Sequence, residues 1–349
     1  MEHSIIQYIT MKVIRLHPVC HFLGEKVEKV DKLNMRVCSL FSGIGGIDLG
    51  FKQAGFDIVW ANEIDKYAAE TYKKNFGSDS LVVKDLRKIQ PKDIPNFDVL
   101  VAGFPCQSFS AAGKQRGFND ERGQLFFEIV RVVEQKQPEI IFLENVANLL
   151  EHDEGKTFLT VYNELVPFGY SFKYCVMDAK EYGNIPQHRE RIFIVAFKDI
   201  NKCERFSFPE KIELTNNLND IIDRTQKHND CYYYHEDDPI YDKLKPSINN
   251  MSVVYRIRNN GDDIRKYRIC PTLTASMGSF QYQIPVIRDS YGIRKLTPYE
   301  CLALQGFPQG FKFPKIPLDS AYKQCGNSVV VPVIRRIAEE IKKVYYVGF

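Results

Sequence analysis

From residue 36 onward, short apolar runs recur with helical stretches between them. Arg36–Phe41, Asp57–Ala61, Leu81–Lys84, Val99–Ala102 and Glu139–Leu143 each read as a strand. Between them, Ile47–Ala54, Asp65–Phe76 and Gln124–Gln135 carry apolar residues at helical spacing. Strand alternating with helix predicts a doubly wound α/β sheet. Glu139–Leu143 is nearly all apolar, which suits a central strand buried on both faces. Ser171–Asp178 and Arg191–Phe197 read as two further strands, expected to form a terminal hairpin. From about Asp199 to Asn260 the apolar period is lost, and Asn, Asp, Lys and Tyr dominate. That shift marks a domain boundary. Pattern returns with a helix over Thr297–Gln305, opened by Thr297-Pro298 with Glu300 behind it. A long amphipathic helix, Val329–Tyr345, is expected to pack back on the first domain. The division is then an N-terminal extension without period (1–34), a first domain (35–197), a polar domain (198–283) and a C-terminal segment (284–349).

The strand ends concentrate the chemistry. The first strand runs into Ser42-Gly43-Ile44-Gly45-Gly46, a turn whose backbone N–H groups and following helix N-terminus suit close approach of a ligand. Glu63, about twenty residues on, stands where a ribose hydroxyl pair is held; it also suits the start of the next helix as a favourable charge. Asp85 ends the third strand and suits an exocyclic amine. Nothing at this turn provides the Lys and Ser/Thr of a P-loop, so a nucleoside is favoured over a triphosphate.

Val99–Ala102 leads to Gly103-Phe104-Pro105-Cys106, and Pro105 should stop the strand. Cys106 then faces a crevice, where a thiolate can act, although an inert buried thiol fits the same place. The loop behind it, with Lys114, Arg116 and Arg122 between glycines, suits a lid over a phosphate backbone or a plain solvated loop. Glu144, at the end of the neighbouring strand, would reach the same crevice, and desolvation there would let it donate a proton. Arg189 and Arg191 alternate on an incoming strand, so they face one way. Tyr255–Asn260 mixes aromatic, Arg and Asn residues of the kind that read bases, a composition that exposed loops share.

Composition narrows the setting. A net charge of +3 permits a polyanionic partner without requiring one. Nine scattered cysteines, an odd number without a CxxC pair, make a poor disulfide framework and a poor zinc site, so no metal is expected and a reducing, cytoplasmic location is. No apolar run approaches membrane-span length, and Arg15, His17 and His21 interrupt any signal-peptide core.

In order and spacing these motifs closely resemble the C5-cytosine DNA methyltransferases, over nearly everything from Met35 to the end except the polar domain. Phe41–Gly46 is similar to the first cofactor motif, Gly103–Gln107 to the catalytic motif and Glu144-Asn145-Val146 to its partner. Gln187-His188-Arg189-Glu190-Arg191 fits Gln-x-Arg-x-Arg, and Arg294–Pro308 and Gly326–Val329 fit the last two motifs. The resemblance implies a Rossmann-like S-adenosylmethionine-dependent methyltransferase fold with a smaller, mostly irregular or β target-recognition domain. It implies cofactor contacts from Phe41, Gly43, Ile44, Gly45, Gly46, Glu63, Ile64, Asp85, Leu86, Gly103, Pro105, Leu125, Asn327 and Ser328. Cys106 would add to C6 of a cytosine flipped out of duplex DNA. Glu144 would hold N4 and N3, Arg189 would hold O2, and Arg191 would orient the group. Lys114, Arg116, Arg122, Arg256, Arg258 and Asn259 would meet DNA. Two positions depart from the family: Ile64 stands where an aromatic residue often stacks on adenine, and Ala112 where some members carry a loop serine. The resemblance further implies a bacterial, monomeric enzyme paired in its genome with a restriction endonuclease. A tRNA methyltransferase of the same fold would carry Pro-Pro-Cys and Cys-Phe-Thr, and neither is present. A regulator that had lost catalysis is disfavoured because Cys106, Glu144 and Arg189 are all retained.

Overall fold

The computed structural model describes residues 34–104, 124–279 and 281–346. Strands β1 (Arg36–Leu40), β2 (Asp57–Glu63), β3 (Leu81–Val83), β4 (Val99–Gly103), β5 (Ile140–Val146) and β6 (Ser171–Asp178) precede a two-residue β7 (Gln187–His188) and then β8 (Glu190–Phe197). Seven of these form one sheet in the order β3-β2-β1-β4-β5-β8-β6. The first five are parallel, and β8 runs antiparallel between β5 and β6. The expected hairpin therefore exists, with its second strand inserted next to the parallel set.

Residues alternate between the two faces of each strand, and both faces are buried. Val99, Val101, Ile140 and Phe142 pack on one side with Phe51 of α1 (Gly46–Gln53). Leu100, Ala102, Ile141 and Leu143 pack on the other side. Helix α2 (Lys66–Phe76) follows β2 and is capped by Asp65. Helices α3 (Leu125–Lys136) and α4 (Lys156–Leu165) cover the second face through Ile129, Val133, Val161 and Leu165.

Two expected boundaries move. The short helix α5 (Ala179–Tyr182), between β6 and β7, buries Ala179 and Tyr182 in the first core; beyond β8, α6 (Ile200–Arg205) belongs to it too, because Cys203 and Phe206 bury with Phe197 and Val195. The polar shift at 199 marks a solvated surface, not the end of the core. Further on, α7 (Tyr241–Ser247) packs under strands β9 (Val254–Arg258) and β10 (Asp263–Tyr267), while β11 (Cys270–Pro271) pairs in parallel with β7. Strands β12 (Val286–Arg288) and β13 (Ile293–Lys295) complete a second sheet, β10-β9-β12-β13. The small sheet thus extends past 283 into the segment expected to be C-terminal. Helices α8 (Pro298–Ala303), α9 (Leu318–Asn327) and α10 (Val331–Tyr346) follow.

Helix α10 returns to the first core as expected, burying Ile334, Ile337 and Ile341. The crossing with α1 is close: a Cβ on Gly50 would lie 2.6 Å from Ile334 Cβ.

Arg294 ties the second sheet to α8. It is fully buried, with Nε on Asp289 at 2.7 Å and its two terminal nitrogens on the two Glu300 oxygens at 2.8 Å each. Glu300 also completes the capping box with Thr297. Replacing Arg294 with Met leaves two buried carboxylates without their cation, so chemical denaturation should show a loss of about 3–5 kcal/mol.

Candidate active site

A cavity of about 480 Å³ opens at the C-terminal edge of the parallel strands, where a doubly wound sheet accepts ligands. Its floor is the turn between β1 and α1. Gly45 sits at φ 85°, and a Cβ there would come 2.4 Å from the Phe76 ring, so the turn admits only glycine. Gly43, Ile44 and Gly46 line the cavity with Phe41; Gly45 faces away from it toward Phe76.

Glu63 shapes this turn. β2 runs two residues further than expected, which places Glu63 inside the strand. Its carboxylate accepts N–H bonds from Gly43 at 2.8 Å and from Ile64 and Asp65 at 2.7 Å each. Burial pushes the carboxyl up, and those N–H groups pull it back. Asp65 caps α2, and the Glu63 charge lies just ahead of that cap, on the N–H groups that lead into the helix. Ile64 is 62% exposed, leaving its apolar surface available on the cavity rim. Asp85 and the buried Leu86 line the same rim. The Asp85 carboxylate is already paired with Arg87 at 2.7 Å, so an amine would share or displace that cation. Leu125, Asn327 and Ser328 close the cavity from α3 and from the end of α9.

Opposite the turn lies Glu144. β5 continues to Val146, which sets Glu144 beside Gly103 of β4 and Phe193 of β8. Glu144 is buried, and Arg191 Nε lies 3.2 Å from its Oε1. Burial pushes the Glu144 carboxyl up, and the Arg191 and Arg189 cations work against that rise. The next residue, Asn145, also lines the cavity and donates to Phe104 O at 3.2 Å, fixing β4 at its exit from the sheet.

Both arginines line the cavity, but they do different work. Arg189 Nη1 donates to Leu273 O at 2.7 Å, and Nη2 donates to Gly326 O at 3.2 Å and to Ser328 O. Those terminal nitrogens stitch three segments together at the cavity wall. Arg191 is the cation that meets Glu144. Pro105, Cys106, Lys114, Arg116 and Arg122 lie outside the described residues.

Arg256 and Arg258 leave β9 on the same face as Val254, whose packing group includes Ile44 and Ala68 beside the cavity. Arg256 is half-buried and donates to Gln283 at 3.3 Å; Arg258 is exposed. Asn259 adopts φ 49° in the turn joining β9 to β10.

Several supporting residues escaped the sequence reading. Gln187 donates to Leu304 O and Gln305, and accepts from Leu273 N–H. Gly326 passes so close to residue 274 that a Cβ would lie 2.1 Å from its carbonyl carbon. Asp48, in the first turn of α1, is wholly buried. The polar character of Asp48 at a helical core position was the signal that could have found it.

The strand order and this cavity define a Rossmann-like α/β enzyme of the methyltransferase class. The chain belongs to the C-5 cytosine-specific DNA methylase family, whose model matches residues 35–343. It is similar to the Type II methyltransferase M.Bsp6I of Bacillus sp. (strain RFL6), at 49% identity over 88% of this chain and 99% of that protein. It is also similar to the Type II methyltransferase M.HhaI of Haemophilus parahaemolyticus, at 37% identity over 88% and 94%. Among solved structures, the Entamoeba histolytica methyltransferase EhMeth shares the fold with a TM-score of 0.68, at 21% identity over 89% and 99%. The family generally uses S-adenosylmethionine.

Asp48 makes no hydrogen bond of ordinary geometry. Burial pushes its carboxyl up to about 6, only partly offset by the nearby Ser39 and Tyr72 hydroxyls. Its folded value exceeds the unfolded one of about 3.9, so ionisation costs stability as pH rises between them. Asp48→Asn should therefore gain on the wild type from about pH 4 to 7, by about 2–3 kcal/mol, and denaturation at each pH measures the gap.

Proposed function

We propose that the chain transfers a methyl group from S-adenosylmethionine to C5 of one cytosine in a short duplex DNA sequence, through a Cys106 adduct at C6. The observation that carries this reading is the alignment of Gly103 with Glu144 at the cavity edge. Cys106 is two residues beyond the tethered Phe104, a reach of at most about 7 Å.

The residues around the cavity suit the cofactor. The β1–α1 turn admits close approach, the Glu63 carboxylate reaches a ribose from its N–H cradle, and Ile64 offers an apolar face to a base. When bound, S-adenosylmethionine supplies an electrophilic methyl group. The thiolate of Cys106 adds to C6 of cytosine, and the displaced electron pair gives C5 enamine character. Glu144, raised by burial, protonates N3 as charge develops there and accepts a hydrogen bond from the N4 amino group. Arg191 orients Glu144 and is the cation available to cytosine O2; Arg189 positions both through the backbone it clamps. Loss of the C5 proton to a base and expulsion of Cys106 restore the ring double bond. A stacked base cannot enter, so the target leaves the duplex.

The segment around the second sheet would serve target recognition, with Arg256 and Arg258 reading bases and Asn259 beside them at the turn. Lys114, Arg116 and Arg122 would hold the DNA backbone. Two relatives named Type II methyltransferases support pairing with a restriction endonuclease against which the product protects host DNA. The bacterial cytoplasm is the fitting location, and a monomer suffices for the chemistry.

Bisulfite sequencing of DNA from expressing cells should show one short motif protected, and a methylome without any such motif would refute the reading. Cys106→Ala should reduce transfer of labelled methyl to duplex DNA to background while cofactor and DNA binding persist. Glu144→Gln should cost about 100-fold or more in turnover. Label entering tRNA alone would assign the RNA substrate instead.

A further inference from the structure

Asp178 ends β6 and is nearly fully buried. Its Oδ1 accepts the Arg189 N–H at 2.9 Å. Its Oδ2 meets His188 Nδ1 at 2.5 Å and Lys180 Nζ at 3.4 Å. The Arg189 carbonyl is held by the Ala179 N–H at 3.0 Å. Both backbone groups of Arg189 therefore hang on residues 178 and 179. On the other flank, the His188 carbonyl accepts Thr272 Oγ1 at 2.7 Å. The peptide between the two flanks carries the clamp arginine and leads directly to Arg191.

The His188 side chain is 56% exposed, while its partner carboxylate is 5% exposed. An open imidazole resting on a closed carboxylate links solvent protons to this peptide. Burial alone would raise the Asp178 carboxyl, but the Arg189 N–H and His188 outweigh it and hold it below the usual carboxylate range. Asp178 therefore stays ionised beside the ring. The groups around the ring are Asp178 from β6 and Lys180 from α5. Arg189, Glu190 and Arg191 follow on its own segment, and β11 presents Pro271 and Cys270, the latter a buried thiol pushed up to about 12.

We propose that Asp178 and His188 form a positioning dyad, and that the protonated pair holds the Gln187–Arg191 segment in its active arrangement. The proposal rests on the active-site reading above. A charge-assisted bond is roughly twice as strong as a neutral one, so the hold weakens when the ring gives up its proton. The neutral ring still donates from Nδ1 in one tautomer, which makes the loss partial, about fivefold in rate.

The test is single-turnover methyl transfer to duplex DNA with both ligands saturating, between about pH 5.5 and 9. Wild type is compared with His188→Lys, which keeps a cation throughout, and with His188→Gln, which never carries one. Thiolate formation affects all three alike, so the ratio at each pH is the readout. Wild type should match His188→Lys at the acid end and fall about fivefold behind it at the alkaline end. His188→Gln should lag at every pH, with KM for DNA and cofactor unchanged. A constant ratio of wild type to His188→Lys, or a His188→Gln profile matching wild type, overturns the dyad. Hydrogen exchange at the Arg189 amide gives a readout without turnover. Corrected for intrinsic rate, its protection should drop with rising pH in wild type and not in His188→Lys; equal protection overturns the proposal. Wild-type inactivity on all DNA would instead overturn the active-site reading, and the exchange data would still judge the dyad.

Discussion

The parallel register of β1, β2, β4 and β5 is the constraint on which the site depends. Parallel strands deliver their C-terminal ends to one edge of the sheet, and here those ends carry the glycine turn, Glu63, Gly103 and Glu144. Side chains alternate, so a slip of one residue in β5 would swing Glu144 to the other face of the sheet. The apolar residues on both faces forbid that slip, because each strand would have to exchange its two packing partners at once. The hydrophobic core thus fixes the position of a polar group that takes no part in it.

Electrostatics then work on a fixed geometry. Glu144 is drawn in opposite directions by burial and by two arginines, and burial prevails, so its carboxyl stays above the usual carboxylate range. The arginines come from the strand that runs against the parallel set. Arg189 reaches across to carbonyls at 273, 326 and 328, so distant parts of the chain are fastened at the cavity itself.

Much of this was legible before the structure. Strands and helices of the first half carry clear periods, because each strand buries two apolar faces and each helix one. The turn, Glu63, Asp85 and Glu144 declared themselves as polar residues at strand ends. The second sheet was hidden because its strands are short and interrupted by Arg, Lys and Asp, as in β10. The two-residue pairing of β7 with β11 leaves no period to read. The division of labour between Arg189 and Arg191 was invisible for a different reason. Spacing shows that two side chains face one way, but only tertiary contacts show that one of them donates to backbone carbonyls and the other meets Glu144.

The return of α10 has a consequence for how the protein is made. The first core lacks Ile334, Ile337 and Ile341 until α10 has left the ribosome, and until shortly before that the cavity lacks Asn327 and Ser328. At about 5–20 residues per second, the segment between α6 and α10 takes several seconds or more to synthesise. Throughout that interval the α1 surface around Gly50 lacks its covering helix. A nascent chain thus carries an unfinished cavity and an uncovered apolar face. The fold itself delays completion of the cavity until α10 has been made, long after the strands that frame it.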